Sequence, residues 1–464
     1  MLFSSSVFLF LFLPIVFVFY YLPFIRSRTY RNVLLLFASL FFYAWGEPVF
    51  VLLMAMSIVV NWMIGLAVAR SEKKKRWLAL SVFWNLAIMF VFKYLTFVLA
   101  NLDLLLGTDF AKNLSIPLPL GISFFTFQIL SYVFDVYYGT TEVQKKLYKF
   151  ALYVTMFPQL VAGPIVRYEQ IAWEIDHRRE NLEDFSAGMI RFVYGLGKKV
   201  IFSNYMGTIA DNLFYLSKQG ELSVASAWIG GIAYTLQIYF DFSGYSDMAI
   251  GLGRMFGFHF FENFNYPYIA RSITDFWRRW HISLSTWFRD YVYIPLGGNR
   301  AGAARTYRNT FLVWLLTGIW HGANWTFLVW GLGYFVLLCI ERLGGFTKGV
   351  KYIGHVYTML AVVLLWIVFR ADSLTLAGRY IGQMFGSGGM WFDATAAAVL
   401  SGGWLMLLLA AIFCTPVGKA VADRLHLGEE LQKNIAAVGA VPLLLLCIAK
   451  CLSSSYNPFI YFNF

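Results

Sequence analysis

The sequence FLVWLLTGIWHGANWTFLVWGLGYFVLLCI occupies residues 311–340 and contains no Lys, Arg, Asp or Glu. An apolar run of more than about 20 residues predicts helix that enters a membrane. One ionisable side chain, His321, lies inside this run. Ionisable groups are costly in the hydrocarbon region and usually mark function there, so His321 is the first candidate for a functional residue.

The composition of the whole chain is typical of a polytopic membrane protein. Of its 464 residues, 59% are hydrophobic, 19% are aromatic and only 13% are charged, and the mean hydropathy is +0.63. The polar intervals between apolar runs are too short to fold as separate soluble domains. We therefore expect an all-α membrane protein with a single domain over residues 1–464.

Recurring apolar runs predict about eleven membrane helices. The first run covers residues 2–24. The next run breaks at Trp45-Gly46-Glu47-Pro48 and then continues to residue 69. Later runs fall at residues 77–99, 118–138, 185–202, 223–255, 309–340, 352–369, 396–415 and 435–452. No internal repeat is evident, so a transporter built from two related halves gains no support.

Two further segments depart from simple spanning helices. Residues 150–166 are interrupted by Pro158 and by Gly163-Pro164, which predicts a broken or re-entrant segment packed within protein. Residues 167–184 are more charged and carry apolar side chains at helical spacing, so they predict an interfacial helix on the cytoplasmic side.

The formal net charge of +12 arises largely from basic residues beside apolar runs. Such clusters occur at Arg26, Arg28 and Arg31, in residues 70–76, and at Lys145, Lys146 and Lys149. The positive-inside rule assigns them to the cytoplasmic side and places the uncleaved start of the chain outside. The distribution favours membrane topology and lipid contact over nucleic-acid binding.

Residues 271–308, called the basic lobe here, contain seven arginines and two aspartates interleaved with Trp and Tyr. One interpretation is an anchor at the cytoplasmic surface of the membrane. The other is a donor site in which arginines bind phosphates and aromatic side chains shape a tunnel. The donor-binding candidates are Trp277, Arg278, Arg279, Ser283, Trp287 and Arg289, with Asn324 beyond the lobe.

His321 is the candidate base, because His is the side chain that most readily exchanges a proton near neutral pH. Apolar surroundings disfavour the imidazolium, so a neutral ring could deprotonate a hydroxyl that then attacks a thioester. Gly322 would allow a substrate to approach, and Asn324 could polarise a carbonyl or orient the imidazole. The alternative is a structural histidine that forms a hydrogen bond between helices.

His281 follows the sequence Trp277-Arg-Arg-Trp280 and precedes two serines. It could be a second catalytic residue, a donor-positioning group or a structural partner. Asp241 and Asp247 are six residues apart and would face different directions on a straight helix, so we expect each to bond Arg or Tyr on a neighbour.

Other chemistries find little support in the sequence. The glycines of residues 251–257 have the wrong spacing for a dinucleotide loop, and no Gly-x-Ser-x-Gly motif is present. No His, Cys or carboxylate group has the spacing of a zinc site. We therefore predict no metal site and no permanently bound cofactor.

Five motifs resemble those of the membrane-bound O-acyltransferase family, and the resemblance extends over most of the chain. They are FPQLVAGP at 157–164, DFSGYSD at 241–247, DFWRRWHISLSTWFRDY at 275–291, IPLGGN at 294–299 and GIWHG at 318–322. The tail NPFIYFNF at 457–464 resembles that of one branch within this family. The resemblance implies a ring of helices with re-entrant segments around a thin central region. It also implies that His321 is the essential histidine and that His281 is a second family-typical polar residue.

The activity implied by the resemblance is an acyl relay across a bacterial cell membrane. A cytoplasmic thioester, most simply acetyl-CoA, would meet an acceptor hydroxyl that arrives from outside. An exported partner protein would pass the acyl group to an exopolysaccharide or wall polymer. Alternatives are D-alanyl transfer from a carrier protein to teichoic acid, a polysaccharide or lipid flippase, and a scaffolding subunit.

Overall fold

The computed structural model describes residues 1–25, 27–220, 222–300, 302–344, 351–453, 456–457 and 459–460. Within these residues every regular element is helical and none is a strand, which confirms the all-α prediction. Some predictions fall outside the described residues: Arg26 in the first basic cluster, Ala301 in the basic lobe, and residues 458 and 461–464 of the NPFIYFNF motif.

The described residues form α-helices of very different lengths. In chain order they are α1 (Leu13–Tyr20), α2 (Arg28–Ala44), α3 (Phe50–Arg70), α4 (Lys74–Met89), α5 (Leu95–Leu106), α6 (Ile122–Tyr138), α7 (Leu147–Thr155), α8 (Phe157–Leu160), α9 (Tyr168–His177), α10 (Leu182–Gly197), α11 (Asn204–Gln219), α12 (Val224–Met255), α13 (Ile273–Arg279), α14 (Ile282–Phe288), α15 (Ala303–His321), α16 (Trp325–Gly344), α17 (Lys351–Arg370), α18 (Leu374–Met384), α19 (Ala394–Phe413), α20 (Val417–Arg424) and α21 (Glu429–Ser453). Short π-helical segments occur at Phe8–Phe12, Phe90–Tyr94, Lys198–Ser203 and Arg289–Tyr293, and a 3₁₀ turn at Pro267–Ile269.

Six helical segments of the described chain are long and apolar enough to cross a membrane. They are Phe50–Arg70, Lys74–Leu106, Trp325–Gly344, Tyr352–Arg370, Ala394–Phe413 and Glu429–Ser453. The predicted number of about eleven is therefore not confirmed. One reason is that an apolar run can be a helix buried inside protein: α6 spans 17 residues and nearly all of them are buried.

The predicted broken segment is present. Helix α7 ends at Thr155, α8 forms a single turn, and the chain then runs without regular structure to α9. The residues from 152 to 168 are all buried. Tyr153 helps to satisfy this backbone, because its hydroxyl donates to the carbonyls of Gln128 and Val166 at 3.0 Å. Irregular backbone within a membrane protein is stable when protein groups bond it in this way.

Helix α9 has the amphipathic pattern expected of the predicted interfacial segment. Tyr168, Ile171 and Ile175 are buried, whereas Trp173 is 66% exposed. The ring of Trp173 stacks on that of His177, with centroids 5.1 Å apart. An aromatic ring exposed beside charged residues is the usual composition of a helix at the membrane surface.

The two aspartates of α12 bond different cations. Asp247 accepts from Arg191 at 2.8 Å, as the sequence predicts. Asp241 pairs with Lys199 at 2.6 Å, so its partner is a lysine rather than the expected Arg or Tyr. The Lys199 and Asp241 side chains are only 3% and 1% exposed, which makes their pairing necessary for burial of both charges.

The described chain divides into two compact units that alternate along the sequence. The first unit comprises Met1–Phe192 and Ser246–Glu262, and the second comprises Val193–Tyr245 and Asn263–Phe464. A single domain over the whole length stays a prediction. The second unit contains His281, His321 and the basic lobe, so the candidate site can be described within it.

Candidate functional site

His321 is the last residue of α15, and aromatic rings enclose it. Its imidazole packs edge-to-face against Trp330 and Phe369, with ring centroids 4.8 and 5.1 Å apart. Only 6% of the residue is exposed. Edge-to-face contacts are directional, so packing fixes the plane of the imidazole. The ring is therefore held in one orientation at the tip of its helix.

Glycines bring α15 and α16 together just before His321. A Cβ atom added at Gly331 would lie 2.5 Å from the carbonyl oxygen of Trp314, and one added at Gly318 would lie 2.6 Å from that of Phe327. Real Cβ atoms do not approach backbone this closely. The two helices thus form an antiparallel hairpin whose close crossing depends on residues without side chains.

The turn of this hairpin also requires glycine. A Cβ atom at Gly322 would lie 2.2 Å from the ring of Phe327. The space beside Gly322, expected from the sequence to admit a substrate, is therefore occupied by Phe327. Asn324 closes the turn, since its amide donates to the carbonyl of Asp372 at 2.9 Å and its oxygen accepts from the backbone of Thr326 at 3.1 Å.

His281 precedes α14 in a conformation that few residues adopt. Its φ of 44° lies in the left-handed region, which costs a residue with a side chain roughly 1 to 2 kcal/mol. Its Nδ1 atom is 3.2 Å from the side-chain oxygen of Asn263, which also accepts from the backbone N–H of Ser283 at 3.1 Å. This oxygen is thus an acceptor, and Nδ1 of His281 carries the proton.

The surroundings of His281 keep its ring neutral. The residue is 1% exposed, and its imidazole packs edge-to-face on Phe242 with centroids 4.5 Å apart. Burial lowers the pKa of His281 to about 3. The imidazole is therefore uncharged near neutral pH, and its contacts are those of a positioned neutral group.

Trp320 contacts both histidines. Its ring centroid lies 6.1 Å from that of His281 and 4.9 Å from that of His321. Trp320 is itself 3% exposed. The structure thus brings together two histidines that are 40 residues apart in the sequence, through one shared aromatic ring.

A cavity of about 330 Å³, called the apolar cavity here, extends from the basic lobe toward this cluster. Its lining includes Trp277, Leu284, Phe288, Arg289, Trp314 and Thr317. Trp277 packs on Trp330 with ring centroids 5.7 Å apart, and Trp330 packs on His321. Trp277 and Trp330 thus form a chain of ring contacts from the wall of the apolar cavity to His321.

A second cavity of about 590 Å³, called the polar cavity here, is lined in part by α17 and by the turn that follows α15. Its lining includes Asp211, Lys218, Gln237, Asn324, Phe369, Arg370 and Asp372. Phe369 contributes a ring to this cavity and packs on His321. Thr317 of the apolar cavity and Asn324 of the polar cavity flank His321 in sequence, so the histidine lies on the chain between the two cavities.

Arg370 is the most constrained cation of the polar cavity. Its guanidinium lies over the rings of Phe214 and Tyr234, with the central carbon 4.2 and 4.7 Å from their centroids. It also pairs with Asp211, which accepts the hydroxyl of Tyr456. Cation–π and ionic contacts together hold the charge in place.

The predicted donor-binding residues separate into four groups. Trp277 and Arg289 line the apolar cavity, whereas Asn324 lines the polar cavity. Arg278 is exposed on the lobe, and Arg279 pairs with Asp275 at 2.9 Å. The remaining two have structural contacts: Ser283 bonds Asn263, and Trp287 packs on Phe288 and Tyr291.

Sequence reasoning missed several residues of the site. Asn263 orients His281, and Trp330 and Phe369 enclose His321. Arg370 contributes a positive charge to the lining of the polar cavity. An asparagine between a glutamate and a phenylalanine and an arginine at the end of an apolar run are weak signals. No group of three or more His, Cys, Asp or Glu side chains in the described chain is arranged to hold a metal ion.

Comparisons with known proteins agree on one family. Residues 77–375 match the family described as MBOAT, membrane-bound O-acyltransferase. The chain is 42% identical to the probable alginate O-acetylase AlgI of Pseudomonas putida over the full length of both proteins. It is 33% identical to the peptidoglycan O-acetyltransferase of Helicobacter pylori, covering 100% of this chain and 98% of that protein. A teichoic acid D-alanyltransferase of Bacillus subtilis is 29% identical over 53% of this chain and 65% of its own.

Proposed function

This chain belongs to the membrane-bound O-acyltransferase family, and from that premise we propose that it relays an acetyl group from a cytoplasmic thioester to an acceptor outside the membrane. That the protein is a membrane O-acyltransferase follows from the family. The acetyl group is proposed because the two full-length relatives are named for O-acetylation. Their names also support a polysaccharide or wall polymer as the final acceptor.

The observation that carries the proposal is the position of His321. The residue is buried among aromatic rings at the tip of α15, and it lies in sequence between Thr317, which lines the apolar cavity, and Asn324, which lines the polar cavity. A relay needs a reacting group that a donor and an acceptor can approach from different directions. A histidine used only for packing would not need two cavities of opposite character beside it.

The apolar cavity is the proposed donor side. It opens at the basic lobe, whose seven arginines would place it at the cytoplasmic face. Arg289 lies at this cavity and could bind a phosphate of acetyl-CoA, while Trp277 and Trp314 offer apolar walls to the thioester arm. No cofactor needs to stay bound, because the thioester is consumed as a substrate.

The proposed chemistry is general base catalysis. A ring nitrogen of His321 takes the proton from the acceptor hydroxyl while the hydroxyl oxygen attacks the thioester carbonyl. The new C–O bond replaces the C–S bond, and the proton passes from the histidine to the departing thiolate. Aromatic walls exclude water, which limits hydrolysis of the thioester.

His281 is proposed to position the reacting groups. Its neutral ring bonds Asn263 through Nδ1 and packs on Trp320, which in turn packs on His321. A group with this low a pKa is a poor proton acceptor near neutral pH. His281 would then hold Trp320 and the basic lobe in position relative to His321.

The acceptor side implies further partners. The polar cavity carries Arg370, Lys218 and two aspartates, a lining suited to a hydroxyl-bearing polar chain. We propose that an exported partner protein brings the acceptor hydroxyl and passes the acetyl group to the polymer. The natural location would be the cytoplasmic membrane of a bacterium, where CoA lies on one side and cell-surface polymers on the other.

The direct test is acetyl transfer in membrane vesicles that contain this protein and its exported partner. With radiolabelled acetyl-CoA, His321→Ala should reduce labelling of the partner or polymer by about 10²- to 10⁴-fold, the usual effect of losing a general base. His177→Ala is the matched control, because His177 is an exposed histidine at the end of α9. Equal labelling by wild type and His321→Ala would refute the assignment of the base.

D-alanyl transfer is the second candidate. The teichoic acid D-alanyltransferase similarity supports it, and a basic lobe also suits an acidic carrier protein. Transfer measured in vesicles that are supplied with D-alanyl carrier protein instead of acetyl-CoA distinguishes the two donors. A flippase would behave differently again, since His321→Ala would leave its transport intact.

A further inference from the structure

A groove on the first unit is lined by none of the residues proposed above to take part in acyl transfer. It has a volume of about 360 Å³ and is lined almost entirely by apolar side chains of the first two helical segments. Phe12, Ile15 and Phe19 form one wall, and Leu34, Phe37 and Phe41 lie on the other. Several of these side chains are half exposed or more, including Phe37 at 65%. In a membrane protein such a surface faces lipid.

The length of the groove matches one leaflet of a bilayer. On α2 its lining runs from Leu34 to Trp45, a rise of about 16 Å at 1.5 Å per residue. The hydrocarbon core of a bilayer is about 30 Å thick. The groove is therefore long enough to hold one acyl chain. It is too short to contact a membrane-spanning partner helix along the whole length of that helix.

A basic cluster lies next to the inner end of the groove. Arg28, Arg31 and Arg178 all lie within ion-pair distance of Glu180, with Arg31 at 2.6 Å and Arg178 at 3.6 Å. Three guanidinium groups face one carboxylate, so two positive charges are in excess. Burial alone would raise the pKa of Glu180, but hydrogen bonds from Arg28 and Tyr20 hold that pKa below its ordinary value.

The cluster still has hydrogen-bonding capacity for an anion. Nε of Arg31 and Nη2 of Arg178 are buried atoms with no hydrogen-bond partner among the described residues. Arg178 is 2% exposed, and its other nitrogens bond the carbonyls of Ile175 and Phe256. Arg28 and Arg31 retain side-chain exposures of 25% and 17%, so a ligand can reach them.

The groove and the cluster are adjacent. Leu34 lies one helical turn after Arg31 on α2. On the opposite wall, Phe19 is followed by Tyr20, whose ring lies 5.3 Å from the guanidinium carbon of Arg31. The apolar groove thus ends at a site with excess positive charge, which is the order of apolar chain and charged headgroup in a phospholipid.

We propose that this juxtaposition of groove and arginines is a binding site for one anionic phospholipid, with an acyl chain between α1 and α2 and the phosphate at Arg28 and Arg31. Basic pockets between membrane helices on the cytoplasmic side select such headgroups. Lipid that merely surrounds the protein would fill the groove without regard to headgroup charge. Charge complementarity therefore identifies the occupant.

The test uses the purified full-length protein, stripped of lipid in detergent and titrated with phosphatidylglycerol or phosphatidylcholine of equal chain length. Native mass spectrometry would count bound lipid, and thermal unfolding would report stabilisation. Wild type should bind one phosphatidylglycerol in preference to phosphatidylcholine, and Arg31→Gln should weaken that binding roughly fivefold. Arg70→Gln, at an exposed arginine ending α3, is the control for charge alone.

A second variant separates binding from folding. Ala38→Trp fills the groove and leaves the arginine cluster intact, so it should abolish binding of the first phosphatidylglycerol. Ala79→Trp places the same side chain on the exposed face of α4 and should bind like wild type. Equal affinity for the two lipids, or unchanged binding by Ala38→Trp, would overturn the proposal. Equal stabilisation by glycerol phosphate without acyl chains would also overturn it.

Discussion

His281 and His321 are both buried, but their surroundings differ and suit the different roles proposed for them. His281 has a fixed hydrogen bond to Asn263 and a strained backbone, which are features of a residue that holds other groups in position. His321 is oriented by ring packing at the end of a helix and lies close to two cavities. The difference supports one positioning and one reacting histidine.

The depressed pKa of His281 predicts a specific pH dependence of stability. Because its pKa is about 3 in the folded protein and near 6.5 when unfolded, the unfolded state binds more protons between these values. The stability contribution of neutral His281 is complete above pH 6.5 and is lost as the pH falls toward 3. At pH 5 this effect lowers the free energy of unfolding by about 2 kcal/mol.

Thermal unfolding in detergent at pH 7 and pH 5 tests this prediction. His281→Gln should lower stability at both values, but its stability should fall less between them than that of wild type. His355→Gln is a suitable control, because His355 bonds the Ala270 carbonyl and is only partly buried. A wild-type protein and His281→Gln variant with the same pH dependence would contradict the assigned neutral state.

At the scale of elements, the α15–α16 hairpin determines where His321 lies. Gly318 and Gly331 bring the two helices into backbone contact, and Phe327 packs into the space beside Gly322. These contacts precede and follow His321 in sequence. A small change in the helix crossing would therefore move the imidazole relative to both cavities.

Gly331→Ala should reduce acyl transfer more than it reduces stability. The added methyl group would lie 2.5 Å from the Trp314 carbonyl, so the helices must separate at a cost of about 1 to 3 kcal/mol. Transfer should fall by about 10²-fold, since displacement of a reacting group by 1 Å has that effect. The measurement is vesicle labelling beside thermal unfolding.

Gly378→Ala is the control for this variant. Gly378 lies within α18, and a Cβ atom there would meet nothing within 4 Å. Alanine at such a position should be neutral or stabilising by about 0.5 to 1 kcal/mol. If Gly331→Ala transferred acetyl groups as fast as this control, the hairpin crossing would not govern the position of His321.

At the scale of the whole molecule, charge decides orientation in the membrane. The basic residues at 70–76 predict a cytoplasmic turn between α3 and α4, and the loop after α5 would then lie outside. Single cysteines at these two places provide the test. Lys112→Cys should react with an impermeant maleimide added to intact cells, whereas Lys74→Cys should react only after permeabilisation.

Both labelling positions are exposed, so access depends on the membrane alone. The native cysteines Cys339, Cys414, Cys447 and Cys451 are buried or partly buried, and a variant with all four replaced by alanine gives the background. Labelling of Lys74→Cys in intact cells would reverse the predicted topology and with it the proposed cytoplasmic donor side.

The sequence predicted element type well where a single physical rule governs it. Apolar periodicity predicted helices, Pro158 predicted the break after α7, and Trp45-Gly46-Glu47-Pro48 predicted the turn between α2 and α3. The predicted number of membrane spans is not confirmed, because hydrophobicity does not distinguish a helix facing lipid from one buried in protein. Helix α6 is the clearest example of the second kind.

By itself, the sequence determined that this is an all-α membrane protein of the O-acyltransferase family, and it predicted His321 as the leading functional residue. Composition and local motifs carry that information, because both are properties of the chain itself and of residues that are close in sequence. Only the tertiary structure decided that Trp330 and Phe369 enclose His321, that Asn263 fixes His281, and that two cavities flank the site. Such contacts join residues far apart in sequence, and packing between helices, rather than local preference, selects them.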